Sequence, residues 1–114
     1  LDPAAISAIR GGLYDATHAN YGTAVGIFGS FPIQIAGKTG TAEKFVNLPG
    51  YHGLQDQAWW CGYGPYGKPD LAVCAMIENG GHGGVVAAPV ALQVFQKFFK
   101  VDPSSYSASV SNSD

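Results

Sequence analysis

The stretch that decides the fold is a strand-like run around one lysine, Ile35-Ala36-Gly37-Lys38-Thr39-Gly40-Thr41-Ala42-Glu43. Because isoleucine and threonine favour strands, this run is predicted to be extended, beginning near residue 33. Its two glycines weaken an ordinary strand and are typical of a place where something approaches the backbone closely. We therefore expect this strand to carry a binding site.

The side chains of this strand could hold an acyl substrate that bears a carboxylate. The Lys38 ammonium can attract the carboxylate or bias the proton of a neighbouring hydroxyl, and the hydroxyls of Thr39 and Thr41 can hydrogen-bond to it. Gly40 leaves room for an extended substrate, and the Thr41 amide can donate to a carbonyl oxygen that becomes negative during acyl transfer. The alternative is a surface lysine between two threonines that simply form a good strand.

Two more strands are predicted downstream, at residues 58–63 and 70–78, with a turn rich in glycine and proline between them. A link this short predicts that the two strands are antiparallel. Residues 47–57 contain several turn-forming residues and are predicted to be a loop. Trp59 and Trp60 must point to opposite faces of their strand, so one of them is expected in the core.

Helices are predicted on both sides of the three strands. Asp2 can cap a helix whose first residue is Pro3 and whose end is expected at residues 15–19. A second helix is predicted over residues 85–100, and the serine-rich residues 102–114 are predicted to be a disordered tail. The apolar face of the second helix is predicted to carry Val90, Val94, Phe95, Phe98 and Phe99. The order of helix, three antiparallel strands and C-terminal helix predicts an α+β fold.

Composition and charge exclude several classes of function. Only 12% of the residues are charged and the formal net charge is −2, so no basic surplus exists to bind a nucleic-acid backbone. The longest apolar runs are too short to span a bilayer. The three histidines are far from one another and from the cysteines in sequence, so a zinc site has no support.

Two sequence patterns resemble nucleotide-binding motifs but lack the flanking residues and elements that those motifs require. Gly37-Lys38-Thr39 resembles the end of a phosphate-binding loop, but Pro32 stands where that loop needs a glycine. The spacing of Gly62, Gly64 and Gly67 fits a dinucleotide fingerprint, but these glycines lie between two predicted strands and no helix follows them. Nucleotide binding is therefore not predicted.

Other polar residues allow two interpretations each. Cys61 and Cys74 both lie in apolar strands, which favours two buried thiols over a bridge between neighbouring strands. Glu43 could orient Lys38 or remain a solvated carboxylate. Arg10 is expected to form an ion pair of little energetic value.

Four segments are informative when taken together: Gly22-Thr23-Ala24, the run over residues 35–43, Ala58-Trp59-Trp60-Cys61-Gly62-Tyr63, and Glu78-Asn79-Gly80-Gly81-His82-Gly83. Together they resemble the penicillin-binding protein transpeptidase family, and Lys-Thr-Gly is one of that superfamily's active-site motifs. The resemblance extends over residues 1–101 and is closest to class B members of the penicillin-binding protein 2 group. The chain is thus similar to the C-terminal part of a transpeptidase domain, in which an antiparallel sheet lies between helical layers, the serine beta-lactamase/D,D-transpeptidase fold.

The resemblance implies peptidoglycan D,D-transpeptidation in the intact protein. A serine would be acylated by the stem peptide, and beta-lactam antibiotics would acylate the same serine. Lys38 and Thr41 are then candidate catalytic residues, and Thr39, Gly40, Thr41 and His82 are candidate substrate-binding residues, although an exposed loop residue is the favoured interpretation of His82. No metal or organic cofactor is implied. The implied location is the outer face of the cytoplasmic membrane, through an anchor in the intact protein.

The sequence departs from the family pattern at the nucleophile. No serine is followed three residues later by lysine, so the Ser-x-x-Lys motif is absent, and no Ser-x-Asn motif is assigned. We therefore expect the catalytic serine in an N-terminal remainder of the same domain and expect this chain alone to be inactive. The alternatives are a non-catalytic binding or sensor module of the same fold and a fragment of a serine beta-lactamase.

Overall fold

The computed structural model describes residues 1–110 of the 114-residue chain. The elements are α1 (Pro3–His18), α2 (Val25–Phe28), β1 (Ala36–Leu48), β2 (Tyr51–Gly64), β3 (Leu71–Ile77), α3 (Gly83–Phe99) and a 3-10 helix (Pro103–Ser105). The strands form one antiparallel sheet in the order β1-β2-β3. This arrangement confirms the predicted α+β order, to which the structure adds α2.

β1 and β2 form a long hairpin where the sequence predicted a loop over residues 47–57, and that prediction is wrong. Their pairing runs without a break from Ala36 opposite Tyr63 to Leu48 opposite Tyr51. Gly50 has a φ of 82°, which suits the tight turn between the strands. Cross-strand pairing thus overrides the local preference of the glycines and polar residues for a loop. The first strand also begins at Ala36 and not near residue 33.

The core lies between one face of the sheet and the helices α2 and α3. Trp60 is fully buried there, with its ring centroid 4.6 Å from that of Phe28 and 5.8 Å from that of Phe95. Trp59 is 37% exposed, so the prediction that the two tryptophans occupy opposite faces is confirmed. The helix α2, which was not predicted from the sequence, supplies Phe28 to this cluster.

The helix α3 turns a different face to the core from the one predicted. Its buried residues are Gly83, Gly84, Ala87, Ala88, Ala91, Leu92 and Phe95. Val90, Val94 and Phe98 are between 43% and 51% exposed. Small alanine side chains let the helix approach the sheet closely, which a pattern based on large apolar residues does not anticipate. The predicted face was therefore wrong except at Phe95 and, in part, at Phe99.

The helix α1 begins as predicted, with the Asp2 carboxylate accepting a hydrogen bond from the Ala4 amide at 2.9 Å. Within residues 1–110, Arg10 does not form the predicted ion pair. Its Nη2 donates to the carbonyl oxygen of Tyr66 at 2.6 Å, and its guanidinium lies 5.2 Å from the centroid of the Tyr66 ring. Tyr66 thus offers both an acceptor and an aromatic face, and these replace a carboxylate partner.

Cys61 and Cys74 form a disulfide, so the favoured prediction of two buried thiols is wrong. The two residues are directly opposite each other on β2 and β3, with their Cα atoms 4.1 Å apart. Both are exposed and lie on the sheet face opposite the buried Trp60. Sequence position alone gave no strand register, and the register decides whether two cysteines can meet.

The predicted disordered tail contains ordered contacts over its first part. The ring of Tyr106 packs edge-on against Phe31 with centroids 5.0 Å apart, and the Ser109 amide donates to the Gly26 carbonyl at 2.7 Å. Hydrogen bonds from Ser104 hold the pKa of the Asp102 carboxyl below its usual value. Residues 111–114 of the predicted tail lie outside the described residues. Within residues 1–110, no helix has both the length and the apolar character needed to cross a bilayer.

Candidate active site

The residues that the sequence predicted as a site line one surface cavity of about 310 Å³. They are Lys38, Thr39, Gly40, Thr41 and His82. Four of them belong to β1, which is an edge strand of the three-stranded sheet. The fifth, His82, immediately precedes α3 and is exposed. Sheet and helix therefore bring together residues that are more than forty positions apart in the sequence.

Two polar side chains of β1 form a connected group with a third residue from outside the strand. The Lys38 Nζ donates to the carbonyl oxygen and to the Oγ1 of Thr39, both at 3.0 Å. The Thr39 Oγ1 lies 2.8 Å from the Oγ1 of Thr23. Lys38 is exposed, whereas Thr39 is only 5% exposed, so the buried hydroxyl holds the accessible ammonium close to the strand.

Thr23 is the residue of this group to which the sequence analysis gave no role. It lies between α1 and α2, where the Gly22 amide donates to the Ala19 carbonyl and the Ala24 amide donates to the Ala16 carbonyl. A Cβ on Gly22 would lie 2.5 Å from the Asp15 carbonyl oxygen, so glycine is required at that close approach. The Gly22-Thr23-Ala24 segment was the available signal, but sequence alone did not place it beside Thr39.

The beginning of α3 packs directly on the backbone of the site. The Gly83 amide donates to the Thr41 Oγ1 at 3.4 Å. A Cβ on Gly83 would lie 2.4 Å from the Gly40 carbonyl oxygen and 2.2 Å from the Trp59 carbonyl oxygen. Because a helix N-terminus carries a partial positive charge, this packing adds to the positive potential that Lys38 contributes.

The two glycines of the β1 motif have different surroundings. A Cβ on Gly37 would lie 2.3 Å from Cζ2 of the Trp60 indole, so Gly37 makes room for a core side chain. A Cβ on Gly40 would meet only the Trp59 Cβ, at 3.4 Å. At Gly37 the group that approaches the backbone closely is thus a core side chain of the protein itself. At Gly40 the strand is open toward the cavity.

Glu43 does not lie near Lys38. It is exposed and stands five positions further along β1, which at about 3.4 Å per residue is roughly 17 Å away. An odd separation also places the two side chains on opposite faces of the strand. The interpretation of Glu43 as a solvated carboxylate therefore fits the structure, and its suggested role in orienting Lys38 does not.

No group of three or more histidine, cysteine or acidic side chains could hold a metal ion within residues 1–110. The chemistry available in the cavity is that of one ammonium, two threonine hydroxyls, backbone amides of an edge strand and an imidazole. This set can bind an anionic, extended ligand and stabilise negative charge on an oxygen.

Comparison with known proteins gives one consistent family. Residues 1–96 match the family described as penicillin binding protein transpeptidase domain. The chain is 36% identical over 103 residues to the peptidoglycan D,D-transpeptidase MrdA of Haemophilus influenzae, which aligns with 83% of this chain and 16% of that protein. It is 34% identical over 86 residues to the peptidoglycan D,D-transpeptidase PbpA of Mycobacterium tuberculosis, over 66% of this chain and 16% of that protein.

Solved structures give the same result at the level of the fold. The crystal structure of Pseudomonas aeruginosa PBP2 in complex with WCK 5153 superposes with a TM-score of 0.74 at 32% identity, over 95% of this chain and 22% of that one. Penicillin-binding protein 2B of Streptococcus pneumoniae superposes with a TM-score of 0.69 at 23% identity, over 90% of this chain and 17% of that one, and so shows the fold alone. The chain thus spans about one sixth of the length of the curated relatives it matches.

Proposed function

Since the chain belongs to the penicillin-binding protein transpeptidase domain family, we propose that it is part of a peptidoglycan D,D-transpeptidase that cross-links cell-wall stem peptides. The observation that carries the proposal is the cavity on the edge of β1, which is lined by Lys38, Thr39, Gly40, Thr41 and His82. These residues combine a cation, hydroxyls and strand backbone on one open surface. Such a surface suits an extended peptide that ends in a carboxylate.

In the proposed reaction, this chain binds and polarises the acyl donor while a serine attacks it. The Lys38 ammonium and the Thr39 hydroxyl hold the terminal carboxylate of the stem peptide, with Gly40 and His82 beside the bound chain. The Thr41 amide donates to the oxygen that becomes negative when the serine oxygen adds to the scissile carbonyl. The amide bond to the terminal D-alanine then breaks, and D-alanine leaves with the proton as the acyl-serine forms. An amine of a second stem peptide attacks that ester, which forms the new peptide bond and regenerates the serine hydroxyl.

The nucleophile belongs to another part of the intact protein in this proposal. No serine of the chain is followed by lysine three residues later, and the described serines are absent from the cavity lining. We propose that residues 1–101 are the C-terminal part of the transpeptidase domain and pack on an N-terminal remainder that supplies the serine. No metal or organic cofactor is needed for this chemistry.

The partners and location follow from the same proposal. Beta-lactam antibiotics would acylate the serine in place of the stem peptide, because they present a carboxylate and a reactive carbonyl. The enzyme would act on the outer face of the cytoplasmic membrane, held by an anchor in the intact protein. The net charge of −2 gives no support to nucleic-acid binding. A non-catalytic module and a beta-lactamase fragment are not favoured, since the named relatives are D,D-transpeptidases.

The proposal is tested by labelling the intact protein with a fluorescent penicillin. The wild type should form a covalent, long-lived adduct. Thr41→Pro removes the amide donor and should slow labelling by about 100-fold or more, as for loss of an oxyanion donor. Thr41→Ala keeps that amide and is the matched control, expected to label within about tenfold of the wild type. An unlabelled wild type would refute the proposed function, and equal labelling of Thr41→Pro would refute only the role of the Thr41 amide.

A further inference from the structure

Three side chains beside the cavity are linked by hydrogen bonds, and the role of each hydroxyl as donor or acceptor decides what the group can bind. The Thr39 Oγ1 is 3.0 Å from the Lys38 Nζ and 2.8 Å from the Thr23 Oγ1. An ammonium can only donate, so Lys38 occupies one of the two lone pairs of the Thr39 oxygen. The hydroxyl contact between Thr23 and Thr39 can run either way, because each oxygen can be the donor.

The two directions have different consequences for a bound carboxylate. If Thr39 donates to Thr23, the single Thr39 proton is used and the Thr39 hydroxyl has nothing to offer an acceptor in the cavity. If Thr23 donates to Thr39, both lone pairs of Thr39 are filled and its own proton points to a third partner. A carboxylate is an acceptor only, so it requires the second direction.

From this geometry we infer that Thr23 is a positioning residue: it donates its hydroxyl proton to Thr39 and thereby directs the Thr39 proton to the carboxylate of the substrate. This inference rests on the proposed function. Thr23 is half-buried and lies on a segment held by two backbone hydrogen bonds, one to Ala16 in α1 and one to Ala19 just after it. Thr39 is 5% exposed on a strand fixed by its pairing with β2. Both hydroxyls are therefore held by rigid elements, as a positioning role requires.

The intact protein tests this inference through its preference for a carboxylate. We would measure the rate constant of acylation by a penicillin and by its methyl ester, which has lost the negative charge. Thr23→Val removes the hydroxyl at nearly constant shape and should lower the ratio of the two rate constants by about tenfold, the value of one hydrogen bond to a charged group. Thr23→Ser keeps the hydroxyl and should restore the ratio to within about threefold.

A second, buried threonine provides the matched control. Thr17 is fully buried, and its Oγ1 lies 2.6 Å from the Ile35 carbonyl oxygen and 2.9 Å from the Tyr14 carbonyl oxygen. It joins α1 to the start of β1 without lining the cavity. Thr17→Val should lower the melting temperature and leave the penicillin-to-ester ratio unchanged. A ratio that changes equally in Thr17→Val and Thr23→Val would show a general structural effect and overturn the inference.

A double-mutant cycle separates positioning from packing. In a Thr39→Val background the Thr39 proton no longer exists, so Thr23→Val should change the ratio by less than about twofold. A further tenfold loss in that background would overturn the inference. If the wild type is acylated but the ratio is the same in Thr23→Val, this inference fails while the proposed function stands. If the wild type is not acylated, both fail.

Discussion

At Gly37 the absent side chain makes room for the core and not for a ligand. The Trp60 indole lies across this position, and a Cβ there would approach Cζ2 to 2.3 Å and Cη2 to 2.8 Å. The indole is fully buried and packs against Phe28 and Phe95, so it has no open side toward which to move. The first glycine of the motif is therefore coupled to the identity of the central core residue.

Gly37→Ala is accordingly expected to destabilise the protein by about 1–3 kcal/mol, the usual effect of overpacking a core. Chemical denaturation of the intact protein measures the change. Gly67→Ala is the matched control, because a Cβ on Gly67 meets nothing within 4 Å and its φ is not in the left-handed region. Equal stabilities for the two variants would contradict the packing of Trp60 on Gly37.

The polar residues of the candidate site could be proposed from the sequence because their chemistry is local. Lys38, Thr39, Gly40 and Thr41 are neighbours on one strand, and a strand was a sound prediction for them. The contact between Thr23 and Thr39 could not be predicted from the sequence, because it depends on how the segment after α1 folds back on the sheet. The spacing of the residues along the sequence does not show the course of that segment.

At the scale of the elements, the β1–β2 hairpin is the main difference between prediction and structure. The residues after Glu43 include Pro49, Gly50, Gly53 and several polar side chains, which favour a loop locally. In the structure they continue the ladder, with Phe45 opposite Leu54 and Leu48 opposite Tyr51. Those four apolar side chains remain 43–69% exposed, so pairing and not burial holds the outer half of the hairpin.

The disulfide is the covalent link between β2 and β3. It joins residues 13 positions apart, and a closed loop of this size contributes about 3 kcal/mol by restricting the unfolded chain. Reduction should therefore lower the free energy of unfolding by about that amount. Denaturant titration with and without a reductant measures it.

The control for this experiment is the double variant Cys61→Ala with Cys74→Ala. It should have the stability of the reduced wild type and should not respond to the reductant. A wild type that is equally stable in both conditions would show that the link contributes nothing. Because both cysteines are exposed, a reductant has access to the bond without prior unfolding.

At the scale of the whole molecule, two helices present apolar side chains to the outside of the described chain. On α3 these are Val90, Val94 and Phe98, spaced four residues apart, and on α1 Ile9 is 56% exposed. A helix that is apolar on more than one face is usually covered on both. These outer helix faces are uncovered within residues 1–110.

The 114-residue chain alone is expected to give no covalent adduct with a fluorescent penicillin, since it lacks the Ser-x-x-Lys nucleophile. Gel fluorescence after denaturation distinguishes covalent labelling from loose binding to the exposed apolar faces. Adding the N-terminal remainder of the domain should restore labelling, and the label should lie on the remainder. A stable adduct on the chain by itself, located by mass spectrometry on one of its own serines, would mean that the nucleophile has been misplaced. If labelling is restored and is unchanged in Thr41→Pro, the serine still lies in the N-terminal remainder, but the Thr41 amide has no role in the reaction.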